Sequence, residues 1–183
     1  AGRTEQGQFT IDGQDYQVAT NENGNALHGG PTGWGDGYLW DVVVDANNGT
    51  ITLKKTFTKE DDSYPATVET AVVYTLGEDN SVTLDFYGES DAATLFNPTN
   101  HTYWNIADED APTVEGLDLQ INSTHHLAVK DGKLPTGELI ANANSAYDFK
   151  QMNSLGDALN EMLKTPEKGF DDYFVVTPST TLD

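Results

Sequence analysis

An all-β fold, an antiparallel β-sandwich carrying one short helix, is what this sequence predicts. Three observations predict it. Apolar and polar residues alternate along most of the chain, Gly, Asn and Asp turn signals separate the alternating runs, and only one stretch spaces its apolar residues as a helix does.

The elements follow in order. In FTIDGQDYQVAT, Phe9 and Ile11 lead into Asp12-Gly13, a dipeptide that accepts positive φ in a tight hairpin, and Tyr16 and Val18 return. LWDVVVDANNGTITLKKTF repeats the design, with Trp40, Val42 and Val44 on one face and Asn48-Gly49 in the turn. In ATVETAVVYTLGEDNSVTLDFYG, Val68, Val72, Tyr74 and Leu76 share a face, and Val82, Leu84 and Phe86 follow the GEDN turn. LDLQIN places Leu117, Leu119 and Ile121 on one side of a further half-buried strand. The helix is NSLGDALNEMLKT: Asn153 or Ser154 caps it, Leu155, Leu159, Met162 and Leu163 form the stripe, and Pro166 and Gly169 end it. No internal repeat or linker divides the chain, so residues 1–183 are expected to form one domain or part of one.

Charge and composition narrow the function classes. Asp and Glu number 30 against 9 Lys and Arg, a formal net charge of −21. Such a surface repels nucleic acid and anionic membranes and offers no basic stripe for a phosphate backbone. There are no cysteines, hence no disulfide framework, thiolate metal site or thiol nucleophile. No apolar run is long enough to span a bilayer. His125 and His126 are adjacent, so on a strand they point to opposite faces and cannot chelate one metal. Asp108-Glu109-Asp110 lacks Ca²⁺-loop spacing and reads as a solvated turn. Neither a G-x-S-x-G elbow nor a phosphate loop is present, so no metal or cofactor is expected. The sequons at Asn48, Asn100 and Asn122 read as chance matches, and a cytoplasmic location is expected.

Three polar constellations stand apart from the strand pattern. In NENGNALHGGPTGWGDGYLW, His28 precedes a glycine-rich loop, and Trp34, Tyr38 and Trp40 offer flat apolar faces beside polar groups, the mixture that binds sugars. The competing reading is a surface loop whose histidine bonds the backbone. In NPTNHTYWNI, His101 lies between Asn100 and Thr102, and an imidazole titrating near neutrality can give or take a proton at working pH. Taken alone, such a histidine is a satisfied structural residue more often than a catalyst. In KGFDDYFVV, Asp171 and Asp172 interrupt an aromatic strand, where they could accept bonds from ligand hydroxyls or discourage edge pairing.

These constellations, in this order, resemble the aldose 1-epimerase (galactose mutarotase) family. NALHGG resembles the family's Asn-x-Leu-His-Gly-Gly signature, and NPTNHTYWNI its Asn-Leu-Thr-Asn-His-Ser-Tyr-Phe-Asn-Leu signature. KLPTGELI with AYDFK is similar to its Ile-Pro-Thr-Gly-Glu segment and the Phe-Asp-Phe/Leu-Arg that follows. GFDDYF is similar to its Gly-Tyr/Phe-Asp-His-x-Phe, and AGRTEQGQF to its Ala-Asn/Gly-Arg-Ile with the strand that follows. The resemblance implies a mutarotase-like β-supersandwich that interconverts the α and β anomers of free hexoses without a cofactor. It implies His101 as the general acid at the ring oxygen and His28 as a hydrogen-bonding group near the reacting centre. Arg3 and Asp171 would hold sugar hydroxyls, and Asn100 and Tyr103 would line or support the site.

The departures from the family pattern carry expectations too. The resemblance places the general base, a glutamate, downstream of Asp183, and further strands upstream of Ala1. The chain is therefore expected to be the middle of a larger sandwich, inactive alone and prone to associate with the missing segments or with another copy. Asp172 stands where the family usually has His. A carbohydrate-binding module without chemistry is one alternative. A hexose-6-phosphate epimerase is another, though the chain has few basic residues to meet a phosphate.

Overall fold

A computed structural model describes residues 2–34, 38–107 and 110–176 of the chain. Gly35 and Gly37 of the glycine-rich loop and Asp108 and Glu109 of the acidic turn lie outside the described residues, so the expectations placed on them are not taken further. Two compact units divide the chain, Ala1–Asn100 and His101–Asp183.

Among its described residues the first unit holds eight strands: β1 (Arg3–Thr4), β2 (Gln8–Ile11), β3 (Gln14–Gln17), β4 (Ala26–Leu27), β5 (Asp41–Asp45), β6 (Thr50–Phe57), β7 (Val68–Leu76) and β8 (Val82–Ser90). Strands β2 and β3 form the expected hairpin around Asp12 (φ 51°) and Gly13 (φ 78°), with Phe9 opposite Tyr16. Two successive positive-φ residues match the right-handed twist of the flanking strands, and Asp-Gly accepts them cheaply. A four-stranded antiparallel sheet in the order β5-β6-β7-β8 dominates the unit. Its register sets Val42, Leu53, Val72 and Phe86 in one row and Val44, Ile51, Tyr74 and Leu84 in the next, as alternation predicts. Asp45 closes the β5–β6 turn by accepting from the backbone N–H of Asn47 and the side chain of Asn48. Val18, Ala26, Phe57, Ala66, Val68 and Val72 are buried in this unit, while Val42, Val44, Ile51, Leu76 and Val82 are exposed.

The second unit holds β9 (Asp118–Leu119), β10 (Ser123–Lys130), β11 (Leu134–Ala141), β12 (Asn153–Ser154), helix α1 (Leu155–Met162) and β13 (Phe174–Val176). Its main sheet runs β11-β10-β13, antiparallel throughout, with β13 at an edge. LDLQIN is shorter as a strand than alternation suggests. Only Asp118–Leu119 pair, against β12, and the N–H of Ile121 turns instead to the carbonyl of Phe149. Ser154 caps α1 by accepting from the Asp157 N–H at 3.2 Å. The buried stripe of α1 uses Ala158 and Met162, whereas Leu163 caps the C-terminus and is exposed. Phe149 and Met162, each 1% exposed, lie in the core of this unit with the buried polar trio Ser123, His126 and Asn142.

Candidate functional site

In the first unit the structure brings Arg3 and His28 together. Strand β1 pairs with β4 so that Arg3 opposes Leu27, and the N–H of His28 donates to the carbonyl of Gly2 at 3.1 Å. His28 thus emerges one residue beyond a two-residue ladder whose other strand carries Arg3. The guanidinium of Arg3 makes a two-pronged pair with Glu22, Nε to Oε2 at 2.5 Å and Nη2 to Oε1 at 2.7 Å. Those bonds hold the Glu22 carboxyl below its ordinary range, with the nearby charges of Arg3 and His28 adding to the effect. Sequence reasoning missed Glu22. A carboxylate 19 residues from its partner leaves no local signal.

The loop carrying His28 is built by short polar side chains. Asn21 accepts from the Leu27 N–H at 2.7 Å and donates to the carbonyls of Leu27 and Gly30 at 3.1 and 3.0 Å. Asn25, the first residue of the NALHGG motif, is buried and accepts from the Gln6 N–H at 2.9 Å. Its role is to tie the loop to the turn after β1. Asp62 anchors the glycines: its carboxylate accepts from the N–H groups of Thr32 at 3.0 Å and Gly33 at 2.8 Å. Gly33 sits at φ +55°, where an added Cβ would lie 2.8 Å from the His28 carbonyl oxygen. Glycine is required there both by its backbone conformation and by the space beside His28.

Trp34, Tyr38 and Trp40 gather round Phe57, with centroid separations of 5.3, 5.3 and 5.7 Å. Trp34 stacks on Phe57 at 7° and also meets Phe96 at 5.6 Å. Large rings gain most by mutual burial, so these three form a cluster with Phe57 that supports the loop. Tyr38 donates to Asp61 at 2.5 Å, and burial together with that carboxylate pushes its phenol up to about 12. Asn100, the last residue of the first unit, lies 3.5 Å from the Tyr74 hydroxyl of β7.

The second unit carries His101, Tyr103 and Asp171. His101 and Tyr103 belong to an irregular, exposed stretch, their ring centroids 5.3 Å apart at 32°. A backbone without ladder bonds suits residues that meet a ligand, because no sheet alternation dictates where they point. Asp171 is exposed and precedes β13, and its N–H donates to the carboxylate of its neighbour Asp172 at 3.0 Å. The side chain of Asp172 is half-buried beside Tyr147. His125 and His126 behave as adjacency on a strand requires: His126 is buried while His125 is turned to Thr124. Among the described residues no cluster of His, Asp or Glu has the geometry to hold a metal ion, and no helix is long and apolar enough to cross a membrane.

Antiparallel strand pairs and a single short helix among the described residues define a β-rich fold. A solved galactose 1-epimerase from Lactobacillus acidophilus shares it, with a TM-score of 0.85 at 28% identity over 99% of this chain and 54% of that one. The chain belongs to the aldose 1-epimerase family, whose model matches residues 1–182. It is 40% identical over 181 residues to a maltose epimerase of Levilactobacillus brevis, covering 98% of this chain and 53% of that protein. It is 30% identical to the galactose mutarotase of Homo sapiens, covering 98% of this chain and 50% of the relative. The chain therefore spans about half the length of the curated relatives it matches.

Proposed function

We propose that these 183 residues are the central part of one larger sandwich domain in an aldose 1-epimerase acting on free hexoses such as galactose or glucose. Membership of that family over residues 1–182, with Arg3 on β1 opposite Leu27 of β4 and His28 next along the chain, carries the reading. His101 delivers a proton to the ring oxygen O5 as the C1–O5 bond breaks. The proton on O1 passes to a carboxylate base, and the O1–H electron pair becomes the second bond of the C1 carbonyl. The open aldehyde rotates about C1–C2, and O5 recloses on either face of C1 while both protons return. The base is assigned to a glutamate in the part of the relatives' length that this chain does not span. Arg3 and Asp171 hold sugar hydroxyls, His28 hydrogen-bonds near C1, and Asn100 and Tyr103 line the site. Two charge-assisted contacts to one hydroxylated ring fix its orientation, the main service an enzyme offers a reaction with so little covalent change.

The exposed apolar residues of the β5–β8 sheet support the view that further strands cover it in the parent protein. A cytoplasmic setting, a monosaccharide as the small-molecule partner and no nucleic-acid or membrane partner complete the proposal. The 40% identity to a maltose epimerase favours a second reading of the substrate, a reducing disaccharide that presents its free anomeric centre to the same groups. Polarimetry on fresh α-galactose, α-glucose and maltose tests both readings. The parent protein is expected to accelerate mutarotation of at least one, and the 183-residue chain alone to do so at under roughly 1% of that rate, having the acid without the base. Sugar binding with no acceleration by the parent would instead identify a carbohydrate-binding module.

A further inference from the structure

His28 occupies a backbone position that most side chains avoid. The Gly30 N–H donates to the carbonyl of Leu27 at 3.1 Å, which closes a tight turn with His28 and Gly29 at its centre. Both central residues have positive φ, 53° and 93°. Glycine takes that conformation freely, whereas a residue with a Cβ pays for it and persists there only where its surroundings over-determine it. Something must therefore hold the turn against relaxing.

The hold comes from the connection between β6 and β7. Asp62 is half-buried there, and its carboxylate accepts from the Thr32 N–H at 3.0 Å and the Gly33 N–H at 2.8 Å. Gly33 lies directly against the turn. A Cβ added to it would meet the His28 carbonyl oxygen at 2.8 Å, and a Cβ on Gly29 would lie 3.7 Å from the Gly33 Cα. Gly30, the last residue of the turn, is buried, and a Cβ on it would come within 2.9 Å of Cβ and Cγ of Asp62. Asp62 thus packs against the end of the turn and bonds the segment that folds back over His28.

Asp62 is itself held in place. Its carbonyl accepts from the Ala19 N–H at 2.9 Å, which ties it to the chain just beyond β3. The neighbouring Asp61 folds the connection by accepting from the Thr58 N–H at 2.8 Å, and the Ser63 N–H donates to the carbonyl of Lys59 at 3.1 Å. Asp62 has a φ of 69°, a conformation that aspartate takes more readily than most residues. A half-buried carboxylate needs donors, and the two amides of the His28 loop supply them.

We propose, resting on the role of His28 given above, that Asp62 is a positioning residue for His28. By drawing Thr32 and Gly33 back over the turn, its carboxylate keeps the His28 backbone in the conformation from which the imidazole meets the sugar near C1.

Steady-state polarimetry on the parent protein, with the sugar it converts fastest, tests this. Asp62→Gly removes the carboxylate and accepts the positive φ, so the loss reports the two missing bonds and not backbone strain. It is expected to lower kcat/KM about 10–100-fold. Asp62→Asn keeps one oxygen within reach of both amides and should recover to within about threefold of wild type. In a His28→Gln background Asp62→Gly should add nothing, since Asp62 acts only through His28. A general loss of structure would persist in that background. If circular dichroism shows Asp62→Gly unfolded, Asp62→Asn carries the same cycle with its smaller effect. An unchanged kcat/KM in Asp62→Gly, no recovery in Asp62→Asn, or additive losses in the double variant would each overturn the proposal. His28→Gln alone separates the two layers. If it leaves kcat/KM unchanged, the role of His28 falls and this inference with it. If it lowers kcat/KM while Asp62→Gly does not, only the positioning role fails.

Discussion

The corner that carries Arg3 and His28 and the segment that carries Asp171 hold their proposed sugar-binding side chains by different physics. At the corner the backbone is tied down by hydrogen bonds from short polar side chains. Asn21, Asn25 and Asp62 take up N–H and C=O groups that a tight loop cannot pair with itself, and Glu22 takes up the guanidinium. At the Asp171 segment the backbone is gripped by rings, with Phe170 and Phe174 set against Tyr147 and Phe149. Hydrogen bonds there run from the Asp171 N–H to the Asp172 carboxylate and from the Leu127 N–H to the Tyr173 carbonyl. Directional bonds define one conformation of a glycine-rich loop that has many others available, whereas ring packing holds a segment that its neighbouring strand already constrains.

The two modes of support should break differently. The corner should fail on the addition of a methyl group at one backbone position. Gly33→Ala is expected to destabilise the protein by about 2 kcal/mol or more, from a positive φ and a clash with the His28 carbonyl. Gly13→Ala is the control, because its φ is +78° with nothing within 4 Å of the added Cβ. It should cost only the backbone part, about 1–2 kcal/mol. Equal losses in thermal melts of the two variants would show that the space beside His28 is not needed.

A smaller effect is expected from the charge that orients Arg3. Glu22→Gln keeps one acceptor but loses the paired one, and should raise KM about 3–10-fold with kcat little changed. No change would mean that Arg3 needs no partner to hold its direction. Smallest is the pH response of the same pair. Glu22 has a lowered folded-state value, so its contribution is present above the ordinary carboxylate range and disappears as pH falls through that range and below. Acid should therefore destabilise the wild type more than Glu22→Gln when the two are compared by denaturant titration at neutral and acid pH. Parallel losses in the two proteins would remove Glu22 from the acid response.

How much of this could be read from the sequence follows from how far apart the partners lie. The β2–β3 turn was legible because Asp12 and Gly13 are adjacent, and the cross-strand rows Val72–Phe86 and Tyr74–Leu84 because alternation and one turn set the register. The cap of α1 was legible in Ser154, but its buried stripe moved to Ala158 because a small residue packs where a helix comes close to its neighbours. LDLQIN alternates over six residues yet pairs over two, since Ile121 bonds Phe149 outside any ladder. Glu22 and Asp62 escaped notice for one reason. Each acts on a group 19 or more residues away, and no local period records such a contact. Arg3, His28, Asn100, His101, Tyr103 and Asp171 are proposed as site residues only as a set in a fixed order, since no single one of them carries a local signal.

The most direct measurement is the turnover of the His101→Asn variant of the parent protein on fresh α-galactose, or on whichever sugar the wild type converts fastest. The amide keeps a polar group in place but cannot deliver a proton to the ring oxygen, so kcat should fall by roughly 10²–10⁴-fold with folding unchanged by circular dichroism. A kcat within about twofold of wild type would contradict the assignment of His101 as the acid and, with it, the proposed mechanism.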